Sequence, residues 1–82
     1  MRYILFIKET CPFCVSAVNL LGEKDLHYNT VTFGSDQLEI LEEMKNAYGW
    51  ATVPMVFKRD GNQIEFIGGY TDLKDHLQSG GE

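Results

Sequence analysis

Residues 2–7, RYILFI, form an unbroken apolar, β-favouring run of strand length, and from Pro12 the pattern turns helical. A run without alternation belongs to a strand covered on both faces. Pro12 suits a first helical turn, Val15, Val18 and Leu21 recur at helical spacing, and Leu26 follows a turn later, while Gly22 weakens the helix end. YNTVTF (28–33) alternates and carries Tyr, Val, Thr and Phe, which predicts a second strand. Strand, helix and strand in this order imply a parallel pair joined by a right-handed crossover.

Asp36 and Glu39 have the spacing of a capping box, and Leu38, Leu41, Met44 and Tyr48 then make one stripe that Gly49 stops. TVPMVFKR (52–59) predicts a short strand led by a proline. DGN (60–62) is a turn signal, and QIEFI (63–67) is the other strand of a hairpin. Gly68 and Gly69 break the chain. TDLKDHLQ (71–78) is a last helix with Thr71 as N-cap and Leu73 and Leu77 inward. The predicted order is β-α-β-α-β-β-α, an α/β fold with helices on the faces of one sheet. The 82 residues (1–82) have room for one domain, and only the final SGGE reads as disordered.

Twelve acidic against seven basic residues give a net charge of −5. That argues against a nucleic-acid backbone or an anionic membrane as main partner. The apolar run in MRYILFIKET is too short for a signal-peptide core and far too short to span a bilayer. The expected location is cytoplasmic. In the cytosol thiols stay reduced, and a CxxC is catalytic or metal-binding rather than a structural disulfide.

That pair is Cys11 and Cys14 in KETCPFCVSAV (8–18). It falls at a helix start, where free N–H groups and the positive helix end favour a thiolate at Cys11, and Lys8 adds a charge nearby. Cys14 is within one turn, close enough to close a disulfide back onto Cys11, and Pro12 stiffens that turn. Two other readings compete. Cys11, Cys14 and His27 have the spacing C-x2-C-x12-H of three zinc ligands, but no fourth ligand follows about three to five residues later. His27 and His76 instead read as surface histidines. Two thiols that merely pack fit a strand-to-helix junction poorly.

Two further segments carry chemistry. In TVP (52–54) the proline cannot donate to a sheet ladder, and the residue before it leaves main-chain groups free to pair with an extended peptide. In GGYTDL (68–73) glycines let a ligand approach the backbone, next to a helix N-terminus that binds carboxylates. Asp72 there can accept from an ammonium group, or serve only as a dipole-friendly helix start.

IKETCPFC, TVP and GGYTDL together resemble the three ligand-contacting segments of glutaredoxins, in the same order and at suitable spacing. The resemblance runs from Arg2 to about Gln78, and the length is like that of small bacterial and phage glutaredoxins. It implies a thioredoxin fold with a mixed four-stranded sheet flanked by helices, and a cis Val53–Pro54 bond. It implies glutathione as cosubstrate, with no tightly bound cofactor and no metal. Cys11 takes the role of nucleophile and Cys14 that of resolving thiol. Lys8 pairs with a glutathione carboxylate and Phe13, where tyrosine is common, lines the groove. The Val53 main chain, beside Thr52 and Pro54, pairs with the cysteinyl part. The Thr71 N–H holds the γ-glutamyl carboxylate and Asp72 its ammonium, and Gly69 belongs to the same glutathione site.

The chain departs from the family at Leu41, where a basic or amide residue is common, and at GWA (49–51), where an arginine is common. Lys8 is then the remaining cation unless Lys45 substitutes, and Trp50 reads as packing or rim surface. The implied activity is glutathione-dependent reduction of protein disulfides and glutathione mixed disulfides by a monomer. Its implied partners are disulfide-containing or glutathionylated proteins, with ribonucleotide reductase as a family expectation. Two alternatives stand beside it. One is a redoxin reduced by thioredoxin reductase, which Leu41 favours and Lys8, Thr71 and Asp72 oppose. The other is an iron–sulfur cluster-binding glutaredoxin with Cys11 and glutathione as ligands, which Pro12 opposes.

Overall fold

The computed structural model describes residues 1–79, so the expectation of a disordered tail falls, beyond Ser79, outside the described residues. The elements are β1 (Arg2–Lys8), α1 (Pro12–Glu23), β2 (Tyr28–Phe33), a 3-10 turn (Ser35–Gln37), α2 (Leu38–Ala47), β3 (Met55–Asp60), β4 (Gln63–Gly68) and α3 (Tyr70–Gln78). Their order is the predicted one. The sheet runs β2-β1-β3-β4, with β1 parallel to β2 and antiparallel to β3, and β3 antiparallel to β4.

The central position of β1 explains its unbroken apolar run, because strand side chains alternate between faces and both faces here are covered. Tyr3, Leu5 and Ile7 pack with Ala17 and Leu21 of α1 and Leu73 and Leu77 of α3. Ile4 and Phe6 turn the other way, to Phe33, Leu41 of α2, Met55 and Phe57. Helices α1 and α3 on one face and α2 on the other give the three layers of a thioredoxin fold. The chain passes from Lys8 at the end of β1 into α1 beside the loop that precedes β3, where Cys11 meets Val53.

The local expectations need correction at four elements. The inward face of α1 is Cys14, Ala17 and Leu21, whereas Val15 is 59% exposed. Once position 14 is tucked against the sheet, the helical period carries 15 outward. α1 ends at Glu23, one residue past Gly22, as expected of a glycine that weakens the helix end. At α2 the Gln37 side chain accepts the Gly34 N–H (3.1 Å), and Asp36 and Glu39 form no capping box. Leu38 and Tyr48 are exposed; Tyr48 lies just past the helix with its ring against Phe57 and Phe66, and Gly49 ends the turn at φ +62°. The N-cap of α3 is Gly69 and not Thr71. β3 starts only at Met55, which leaves Thr52–Pro54 as a loop.

Candidate active site

Cys11 is the extended N-cap residue of α1, and its Sγ accepts the Cys14 N–H at 3.3 Å. An N–H aimed at the sulfur is one of the free donors of a helix start, and it favours negative charge there. The Cys11 thiol in turn donates to the Val53 carbonyl at 3.9 Å. Cys11 is half-buried. Cys14 is 2% exposed, and burial, with the Cys11 hydrogen bond and charge behind it, pushes its thiol up to about 12. The Lys8 main-chain N–H and ammonium pull the other way without prevailing. The two thiols are therefore unequal. One is reachable, and its partner is sheltered and protonated at neutral pH.

Beside Cys11 runs a groove of about 210 Å³ lined by Phe13, Trp50, Thr52, Val53, Pro54, Gly69, Tyr70, Thr71 and Asp72. Val53–Pro54 is cis. The groove thus unites Phe13, TVP and GYTD (69–72) from three separate parts of the chain. Phe13 is 63% exposed, and its ring lies 6.2 Å from that of Tyr70. Lys8 is not in this lining. It borders a second depression, of about 180 Å³, with Ile7, Glu9, Cys11, Cys14, Val15, Val18 and Asn19.

The two glycines do different work. Gly68 has φ +129°, and a Cβ there would lie 2.6 Å from Asp72 Oδ2. Its bareness makes room for the Asp72 carboxylate, which accepts the Gly69 N–H at 2.9 Å. Gly69 has an ordinary φ of −94°, and a Cβ there would sit 3.7–3.8 Å from the Pro54 carbonyl, Asp72 and Trp50. Gly69 therefore keeps the groove open, and Gly68 shapes the helix start. Asp72 spends one oxygen contact on capping and keeps further acceptor sites.

Sequence reasoning missed Trp50 and Tyr70 as lining residues. Tyr70 lies inside GGYTD, and its motif position was signal enough. Trp50 stands in an irregular loop with no periodicity to read. It is fixed by its main-chain N–H, which donates to the Lys45 carbonyl (2.8 Å), and by edge-on packing on Phe66.

Lys45 and His76 also read differently in three dimensions, whereas Leu41 sits in the core as its helical stripe implies. Leu41 is 1% exposed among Phe33, Met55 and Phe57, so it faces the sheet and is closed to the groove. Lys45 is buried, with Nζ 3.7 Å from Glu42. His76 is half-buried, edge-on to Tyr3, whereas His27 is exposed as expected. Among the described residues no three His, Cys, Asp or Glu side chains gather so as to hold a metal ion, so Cys11, Cys14 and His27 do not form the group that their spacing allows. No helix among them is long and apolar enough to cross a membrane.

The glutaredoxin family model matches residues 4–64, which include CPFC and TVP but not GGYTD. Glutaredoxin-1 of Sus scrofa is 36% identical over 84 aligned positions, covering 96% of this chain and 76% of that protein. Glutaredoxin 3 of Escherichia coli is 33% identical over 69, covering 84% and 77%. A wheat glutaredoxin structure superimposes with a TM-score of 0.80 at 29% identity, covering 95% of this chain and 70% of that one. With the unequal thiol pair at a helix start, these matches show that the chain is a thiol–disulfide oxidoreductase and belongs to the glutaredoxin family.

Proposed function

We propose that the chain reduces protein disulfides and glutathione mixed disulfides at the expense of glutathione, through both cysteines. The observation that supports this most is the asymmetry of the thiols: Cys11 is reachable beside the groove, and Cys14 is sheltered and protonated.

Cys11, as thiolate, attacks one sulfur of a substrate disulfide; that S–S bond breaks and the leaving thiolate takes a proton from solvent. The mixed disulfide removes the Cys11 charge and hydrogen bond that helped hold the proton on Cys14, while the pull of Lys8 stays. Cys14 then loses its proton and attacks Cys11 Sγ, which expels the second substrate thiol and leaves a Cys11–Cys14 disulfide. One glutathione thiolate attacks Cys11 and expels Cys14. A second attacks the bound glutathione sulfur, so two glutathiones leave as glutathione disulfide and the two electrons balance. On a glutathionylated protein, Cys11 attacks the glutathione sulfur directly and Cys14 is not required.

Once Cys11 loses its proton, the Val53 carbonyl loses the thiol donor and is open to an N–H of the cysteinyl residue of glutathione. The Thr71 N–H, in the first turn of α3, takes the γ-glutamyl carboxylate, and Asp72 its ammonium. Phe13, Thr52, Pro54 and Gly69 wall the groove, and Lys8 supplies a cation from the other side of the thiols. A monomer, a cytosolic location and ribonucleotide reductase as a substrate belong to the same proposal.

A steady-state assay with a small glutathione mixed disulfide, glutathione and glutathione reductase tests it. Cys11→Ser abolishes turnover, whereas Cys14→Ser keeps deglutathionylation and loses protein-disulfide reduction. Equal loss in both variants on the glutathionylated substrate overturns the assigned roles. Turnover with thioredoxin reductase but not glutathione overturns the reductant.

A further inference from the structure

Two of the most exposed large apolar side chains, Phe13 and Val15, flank the buried Cys14 in sequence. The groove accounts for Phe13. Val15 has no such role, since it points away from the core that the rest of α1 builds. It borders the second depression, whose apolar wall is Ile7, Val15 and Val18 and which also carries Lys8, Glu9 and Asn19.

This depression is continuous with the reacting atoms, because both Cys11 and Cys14 border it, and neither borders the groove. A polypeptide whose cysteine reaches Cys11 must lay its neighbouring residues over the surface around that sulfur. The groove takes one side, and this depression is the apolar recess on the other. Its volume of about 180 Å³ suits a side chain rather than a second tripeptide. Lys8 and Glu9 carry opposite charges at its border, so they select no net sign.

We infer that the recess bounded by Ile7, Val15 and Val18 is a subsite for an aliphatic side chain adjacent to the reactive cysteine of a polypeptide substrate. The inference rests on the proposed reaction and adds a substrate preference to it. A protein partner is then chosen by the residues beside its cysteine, while glutathione is recognised mainly in the groove, with Lys8 at the border of the recess as its added cation.

The test uses two short peptides, each with one cysteine held as a mixed disulfide with mercaptoethanol and flanked by Leu or by Ser. Pre-reduced enzyme in excess releases the peptide thiol in a single turnover, so no glutathione is needed. Wild type releases the Leu-flanked peptide about tenfold faster than the Ser-flanked one. Val15→Ser, which adds no charge near Cys11, removes most of that preference and leaves the Ser-flanked peptide unchanged, and Val15→Leu keeps the preference. Equal rates for the two peptides with wild type, or equal slowing of both by Val15→Ser, overturn the subsite. Failure of glutathione to sustain steady-state turnover overturns the proposed reductant and leaves the single-turnover comparison standing.

Discussion

The Asp72 carboxylate stands where a side chain on residue 68 would have to go, with Oδ2 2.6 Å from the position of a Gly68 Cβ. That carboxylate closes the start of α3 through the Gly69 N–H, at the rim of the groove. The glycine and the acid therefore act as one device, and the pair has a measurable cost when broken.

Gly68→Ala meets both the positive φ and the carboxylate, so it destabilises the fold by roughly 1–3 kcal/mol. Urea denaturation shows this as a lower midpoint with unchanged slope. A midpoint equal to that of wild type removes the steric role of Gly68.

Gly69→Leu behaves differently, because φ is ordinary there and a Cβ makes only normal contacts. Its stability stays within about 1 kcal/mol of wild type. The added side chain fills the groove, and KM for a glutathione mixed disulfide rises about tenfold while kcat falls little. An unchanged KM in a folded variant places the ligand elsewhere.

Leu41→Gln buries an amide among Phe33, Met55 and Phe57. It costs about 3 kcal/mol of stability and brings no gain in glutathione affinity. A stable variant with a lower KM shows instead that position 41 reaches the ligand.

Cys14 makes stability depend on alkaline pH. Its folded pKa, raised to about 12 from 9.0, means the unfolded chain loses this proton first. Stability from this thiol is complete below pH 9 and falls between pH 9 and 12, at up to about 1.4 kcal/mol per pH unit. The reduced wild type therefore loses more stability than Cys14→Ala between pH 8 and 10 in parallel denaturant titrations. Parallel curves for the two proteins contradict a sheltered, protonated thiol.

Much of the fold was legible because it depends on near neighbours along the chain. The apolar run of β1, the proline-led start of α1, the alternation of β2 and the DGN turn each carry their own signal. The boundaries that slipped were those where side chains compete for one role, such as Gln37 against Asp36 before α2 and Gly69 against Thr71 before α3. The motifs Phe13, TVP and GGYTD were visible as motifs, and their residues other than Gly68 share one groove.

By itself, then, the sequence determined the order of elements, the position of two thiols at a helix start and the family. Only the tertiary structure decided which thiol is sheltered, that Val15, Leu38 and Tyr48 face solvent, that Trp50 lines the groove, and that Lys8 lies on the other side of the sulfurs. The physical reason is that spacing sets which residues share a helix face but not how that face is turned. The turn is set by packing against the sheet, and so is the meeting of Cys11 with Val53, 42 positions away.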